Sequence, residues 1–460
     1  MFFDPTPWRF TVPVPQSDVG RRAYNDDRAH VFHSWSAQAE LDPIVMESAH
    51  GSYIVDADNK EYIDFSSQLV YTNIGHQHPK VVQAIKEQAD QLCTIAPAYA
   101  NDKRSEAARL ITSHLPDHLN KVLFTNGGAD AVEHAIRLAR LHTGRYKVLS
   151  RFRGYHGATQ IAMNISGDNR RWRNDYGTSG AVHFFGPFLY RSQFHATTEE
   201  EECQRALEYL DNLIAFEGPE LFAAFIMESI PGTAGIMPPP PGYWQGVREI
   251  CDKYGIVMIC DEVMAGFGRT GNWFAFEEFG AKPDLVTFAK GVNSGYVPLG
   301  GVAISDEIAA DFDHTPYPGG LTYSGHVLAT TAAVATINAM DEEGMVENAR
   351  RLGEDVFGPA LRDLAAKHHS IGDIRGLGCF WAVELVKDQE TREPLGAYGT
   401  TAPEVKELVA ECRENGLVVF QNMNRIHICP ALNIPDDVAR QGLEILDKAL
   451  TTLDQKVAIQ

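Results

Sequence analysis

The sequence predicts an α/β fold: a mostly parallel sheet covered by helices on both faces, followed by a smaller α+β unit. Three observations carry this. Between about residues 70 and 330, short continuous apolar runs alternate with helical patterns, the spelling of strands buried on both faces. Beyond residue 345, further apolar runs alternate with amphipathic helical segments. Finally, 460 residues exceed the usual single-domain length, so one large and one smaller domain are expected.

In chain order, residues 1 to about 60 are Pro-rich and then polar, an arm leading into a short hairpin over "GSYIVDADNKEYIDF". "KVLFT" (121–125) runs into "ADAVEHAIRLARLH", where Ala131, Ala135, Leu138 and Ala139 recur at helical spacing. "KVLSR", "LFAAFIMES", "IVMIC", "DLVTFA" and "GGVAIS" follow as buried strands. A long helix over about 326–340 leaves this region. The small unit then holds strands in "GCFWAVELV", "GLVVFQ" and "RIHICP", between helices at 345–367, 402–415 and 435–450.

Composition narrows the function classes. A net charge of −21 opposes nucleic-acid binding, which needs clustered Lys and Arg. Seven cysteines without a C-x-x-C pair fit reduced thiols in a cytoplasmic protein. No basic and apolar leader opens the chain, and no apolar stretch approaches the roughly 20 residues of a membrane span, so neither export nor a membrane partner is expected. Neither GxSxG nor HExxH is present, and no metal ligand set is predicted.

The candidate chemistry centres on "DLVTFAKGVNSGYVPLGGVAIS" (284–305). A lysine at the end of a buried run is costly unless paired or chemically committed, and Lys290 stands there. In "IVMICDEVMAGFGRTG", a strand delivers Asp261 at its C-terminal edge, where open α/β sheets bind ligands. A buried carboxylate there would keep a heterocyclic nitrogen protonated. The same stretch satisfies G-x-G-x-x-G, but no clean helix follows "GFGRTG" and the acids after it come too early for a ribose contact, so a dinucleotide site is not the preferred reading. In "FTNGGADAVEHA", a strand gives way to two glycines and a helix from about Ala129, an arrangement that directs free N–H groups and a positive dipole end at an anion. "RFRGYHGATQ" sets Tyr155 and His156 between glycines, where an aromatic ring can stack on a flat ligand. A lysine for imine formation, an acid for a pyridinium, a helix start for phosphate and a stacking ring are together what pyridoxal 5′-phosphate requires.

These motifs resemble the class III (ω-) aminotransferases, the ornithine, GABA and ω-amine group of fold-type I pyridoxal phosphate enzymes. "DEVMAGFGRTG", "FAKGVNSGYVPLGGV", "TNGGAD", "GYHG" and "LTYSGH" stand in that family's order. The resemblance implies a seven-stranded, mostly parallel sheet in a large cofactor-binding domain at 66–335, an N-terminal arm and part of the small domain at 1–65, and a small α+β domain at 336–460. It further implies that Lys290 forms the Schiff base and carries a proton, that Asp261 pairs with the pyridine nitrogen, and that His156 is among the cofactor-binding residues. Val263 would pack on the ring face opposite Tyr155, and Gly127, Gly128 and Ala129 would contact the phosphate. Glu228 would order the surroundings of Asp261. Thr322 would reach the phosphate of a neighbouring subunit, hence a homodimer; whether dimers pair into tetramers stays open.

Departures from the family bear on the substrate. Met264 stands where many members have Gln, His427 where many have Arg, and Phe420 where amine-active members place a mobile Arg. Arg425, two residues before His427 on one strand face, is expected to take the acid group of donor and acceptor, with a surface salt bridge as the competing account. Val70 replaces a Trp frequent in aryl-amine enzymes, a substrate-side position that argues against an aromatic pocket. "NRIH", "FHSWSAQ" and "HFFGPFLYRSQFHATTEE" resemble the taurine/hypotaurine and ω-amino-acid branch. Transfer from such an amine (taurine, hypotaurine, β-alanine or GABA type) to a 2-oxo acid, pyruvate or 2-oxoglutarate, is the expectation. Neutral, aryl or diamine donors, and a racemase or aminomutase on the same fold, stay as alternatives.

Overall fold

The computed structural model describes residues 14–174 and 180–457. Most of the Pro-rich start of the arm, residues 1–13, therefore lies outside the described residues.

Seven strands form the central sheet, in spatial order Lys121–Thr125, Gly300–Ile304, Leu285–Phe288, Val257–Asp261, Phe222–Glu228, Lys147–Arg151 and Ala181–Phe184. Only Gly300–Ile304 runs antiparallel to its neighbours, and the remaining pairings are parallel. Every residue of Phe222–Glu228 and Val257–Asp261 is buried, as strands covered on both faces must be. The helix Gly128–Thr143 packs across the sheet on Ala131, Val132, Ala135, Ile136, Leu138 and Ala139, all buried, and ends at Gly144 in the left-handed conformation. Two strands escape the sequence pattern. Ala181–Phe184 has four residues, one a histidine, and Ile371–Leu377 is interrupted by two glycines and two charges.

A second sheet is antiparallel, in the order Ile371–Leu377, Phe380–Asp388, Arg425–Ile428, Phe420–Asn422. The N-terminal hairpin of Tyr53–Asp56 and Glu61–Asp64 gains a parallel partner from Leu417–Val418, 354 residues downstream by position (417 − 63), so an early and a late segment of the chain share one sheet. The expected helix over 345–367 divides into Met345–Arg351, a π turn at Leu352–Phe357 and Gly358–Lys367. Pro359 has no N–H to continue the regular ladder, and the wider turn before it absorbs the shift.

The "GFGRTG" stretch has a structural task. Arg269 is fully buried and donates to the carbonyls of Cys379 and Pro430 and to Asn73 Oδ1 (2.7 Å), while Asn73 Nδ2 donates to the Phe267 carbonyl (2.7 Å). It ties three distant chain segments together, and only a short 3₁₀ turn, Ala275–Phe279, follows it. No helix N-terminus is offered to a dinucleotide there.

Candidate active site

Parallel strands place their C-terminal ends along one sheet edge, and that edge collects the reactive side chains. Glu228 and Asp261 are directly paired across adjacent strands, and Asp261 pairs in turn with Thr287, three residues before Lys290. Arg151 ends the next strand outward, and its loop carries Arg153, Tyr155 and His156. At the other side of the edge, Thr125 leads into Gly127 and the start of the Gly128–Thr143 helix.

Asp261 is 3% exposed. Its Oδ2 lies 2.6 Å from His156 Nδ1, and its Oδ1 accepts the Val263 N–H at 3.0 Å. Burial alone would lower the basicity of His156, but the bond to Asp261 outweighs it and raises the imidazole above its ordinary pKa. His156 is thus a buried partner of Asp261 and not half of a surface Tyr–His pair. Glu228 accepts the Tyr155 N–H at 3.1 Å and the Gly232 N–H at 2.7 Å, which pins the Tyr155 loop to the strand edge. Burial raises the Glu228 carboxyl, and the nearby Asp261 adds to that.

Lys290 lies within electrostatic reach of Asp261 and Glu228. Burial pulls its amine below the ordinary lysine value, Arg170 adds to that, and the two acids oppose it, so more of it is the nucleophilic free base at neutral pH. Its φ of 47° is in the left-handed region, a strained setting for a lysine and of the kind that clusters at functional sites. Gly128 touches Val263: a Cβ at position 128 would meet a valine methyl at 2.8 Å, so only glycine lets the helix start approach. No side chain caps that helix start, leaving its first N–H groups open to an anion. A flat, phosphorylated, cationic ring fits this set of a helix start, a branched wall at Val263, a buried acid and a lysine of lowered basicity.

Tyr155 carries the Arg170 guanidinium 3.5 Å from its ring centroid, and Arg170 is itself held by Asp168 and Thr233. One face of the ring is therefore already covered. Thr322 is exposed, on the loop whose Ser324 hydroxyl donates to the Phe124 carbonyl (2.8 Å) beside the helix start. Val70 is 1% exposed, at φ 60°, within an apolar cluster containing Ile230, Ile236, Met264 and Phe380, so it forms part of a packed wall.

Arg425 is 3% exposed, which removes the surface salt bridge as an account of it. Across the sheet it faces Glu384, but both Glu384 oxygens are taken, by Arg191 (2.8 Å) and Arg375 (2.6 Å). Its own Nε is buried without an acceptor. Burial, then the nearby Arg153, pulls the Arg425 guanidinium down to about 9. His427 is buried with neither ring nitrogen bonded, and burial and Arg425 hold its pKa well below the ordinary value, so it is a neutral ring against Phe420.

Sequence reasoning missed Arg153, Arg170, Asp168 and Glu384. Glu384 did leave a signal, as a lone acid inside the apolar run "FWAVELV". Arg170, in "GDNRRWR", reads as a surface basic cluster, and nothing local distinguishes it.

Residues 35–450 match the family model of aminotransferase class-III. The chain belongs to that family, whose members are pyridoxal-phosphate-dependent transaminases. Among solved structures it resembles the taurine:2-oxoglutarate aminotransferase from Bifidobacterium kashiwanohense, in complex with PLP and glutamate. The two are 42% identical, with a TM-score of 0.92, over 95% of this chain and 98% of that one. The taurine–pyruvate aminotransferase of Bilophila wadsworthia is 31% identical over 94% of this chain and 98% of its own length. The leucine/methionine racemase of Thermococcus litoralis is 35% identical over 90% and 92%.

Proposed function

We propose that this chain transfers the amino group of an ω-amino acid, of the taurine, hypotaurine, β-alanine or GABA type, to a 2-oxo acid such as pyruvate or 2-oxoglutarate. The observation that carries the reading is Arg425: its buried Nε has no acceptor among the described residues, and Tyr398 and Arg170 connect it to the surroundings of Lys290. Such a group binds a carboxylate or sulfonate through two parallel hydrogen bonds. The aminotransferases named above, one taurine–pyruvate and one taurine:2-oxoglutarate, point the same way.

When bound, pyridoxal phosphate supplies an aldehyde and an electron sink for the carbon next to the substrate nitrogen. Lys290 would hold the aldehyde carbon and then move the proton between the substrate carbon and the cofactor, a task that suits an amine of lowered basicity. Asp261, fixed by His156 and the Val263 N–H, would keep the ring nitrogen protonated. Val263 and Tyr155 would hold the ring between them, and Gly127, Gly128 and Ala129 would seat the phosphate. Glu228 positions the Tyr155 backbone. Arg425 would orient the acid group, and Val70 would support the pocket wall from behind.

We further infer a homodimer in the cytoplasm. Exposed Thr322 and Tyr323, with exposed Tyr99 and Phe32, offer a surface for a second copy, in which Thr322 would reach the partner's phosphate site. Among the described residues no helix is long and apolar enough to cross a membrane.

The test is acceptor dependence. Protein loaded with pyridoxal phosphate, given taurine, hypotaurine, β-alanine or GABA, should form the aldehyde product over many turnovers only when a 2-oxo acid is present. Inversion or rearrangement of an amino acid with no acceptor would instead make it a racemase or aminomutase. A strong preference for neutral amines would remove the role given to Arg425.

A further inference from the structure

Around Arg425 the positive charge exceeds what a single acid group neutralises. Four guanidiniums, those of Arg153, Arg191, Arg375 and Arg425, share two carboxylates. Arg375 binds Asp373 (2.6 Å) and Glu384 (2.6 Å), and Arg191 binds the remaining Glu384 oxygen. Burial would raise Glu384, but Arg375, Arg191 and Arg425 together hold it down at about 2, so it stays ionised and fully engaged. Among the described residues, Arg425 and Arg153 are left without a carboxylate. Arg153 makes one hydrogen bond, from Nη2 to the Ala234 carbonyl (3.1 Å), and its Nε is buried without an acceptor, as is that of Arg425.

Geometry brings both arginine side chains to one turn, at Ala234 and Gly235. Gly235 has the Arg425 Cδ and Arg375 Nη2 each 2.6 Å from where its Cβ would stand, and Arg153 binds the carbonyl one residue earlier. Tyr398 feels Arg153, Arg425 and Arg170 together, and Arg170 lies on Tyr155 within electrostatic reach of Lys290. The cluster is therefore continuous with the reacting centre. Arg153 also has a φ of 71°, a strained backbone conformation, and its guanidinium lies over Phe188 at 5.5 Å. Two neighbouring cations, each with a buried Nε that has no acceptor among the described residues, are unfavourable unless a ligand completes them.

We propose that Arg153 and Arg425 form a two-guanidinium pocket that selects a dicarboxylic 2-oxo acid over a monocarboxylic one as amino acceptor, with one carboxylate on each. This rests on the aminotransferase reading and narrows it. A monocarboxylic acceptor leaves one of the two charges uncompensated; a dianion satisfies both. Arg153 is a specificity-determining residue here, and Arg375 and Glu384 are positioning residues.

The experiment is calorimetric titration of the cofactor-loaded protein with two unreactive acids, glutarate and butyrate. Glutarate should bind roughly 30-fold tighter or more, the scale of a buried charge pair. In Arg153→Met that preference should fall to about 3-fold or less, and Arg153→Lys, which keeps the cation without the fork, should recover part of it. If the methionine variant does not fold, the lysine variant carries the same comparison. In turnover, the ratio of kcat/KM for 2-oxoglutarate over pyruvate should drop with Arg153→Met through KM and not kcat. Equal binding of the two acids, or a loss in Arg153→Met that is the same for both, overturns the proposal. The binding arm decides it even for a protein that transfers no amine. Efficient transfer to pyruvate with no preference for 2-oxoglutarate would sink this inference alone and leave the aminotransferase reading standing.

Discussion

The two ends of the site are built to opposite rules. At the Asp261 end the buried acids are already engaged: Asp261 by His156 and the Val263 N–H, Glu228 by two backbone N–H groups. At the Arg425 end, Glu384 and Asp373 are also engaged, but by two arginines, while two further guanidiniums stay without a carboxylate. Acids whose oxygens are engaged fix a permanent guest in one orientation, although His156 Nε2 has no partner among the described residues. An unfinished network stores the recognition energy for a guest that comes and goes. The difference separates the group that stays from the substrates that exchange.

Mutations at the two ends should therefore behave differently, and the largest effect belongs to the centre. Lys290→Ala should lower turnover by more than about 10³-fold, since it removes both the covalent anchor and the proton carrier. Retained turnover would detach the chemistry from this lysine. Asp261→Ala should cost on the order of 10²-fold or more in kcat and leave His156 a buried group without its partner. An unchanged kcat would mean that no ring nitrogen is held there.

Stability separates the arginines. Arg375→Met strips both Glu384 and Asp373 of their shared partner and should destabilise the fold by about 3–5 kcal/mol in urea unfolding. Arg425→Met removes a buried cation that has no acceptor, so its melting temperature should be unchanged or higher while its KM for acid-bearing donors rises. Equal destabilisation by the two changes would erase the contrast between finished and unfinished networks.

Acid titration sharpens the same contrast. Glu384 is held at about 2, below its ordinary 4.5, so the folded state prefers its ionised form. Its contribution, about 3 kcal/mol, is fully present above pH 4.5 and is lost as pH falls from there toward 2. The stability gap between wild type and Glu384→Gln should accordingly narrow below pH 4.5; a gap that does not change with pH would contradict the pairing.

What the sequence revealed follows the same division. Lys290 and Asp261 were legible because each is a charge at the end of an apolar run, and a charge in that setting needs a reason. The alternation of such runs with helical periods made six strands of the central sheet legible; the seventh, Ala181–Phe184, has four residues that carry too little pattern. The N-terminal hairpin was readable as a hairpin, but its pairing with Leu417–Val418 was not, because a parallel partner that far along the chain leaves no local trace. Arg153 and Arg170 were opaque for a related reason. Arg153 lies in a turn and Arg170 in a short 3₁₀ helix, where a charge is ordinary, and only the approach of Ala234 to the first and Tyr155 to the second turns them into walls of a site. Val70 was read as facing substrate from its place in the chain, and the fold packs it into the wall.

Borohydride reduction of protein reconstituted with pyridoxal phosphate, followed by peptide mass mapping, tests the covalent role of Lys290 most directly. The predicted result is a reduced cofactor adduct on the peptide that carries Lys290, absent from Lys290→Ala. An adduct on a different lysine, or none at all, would contradict it.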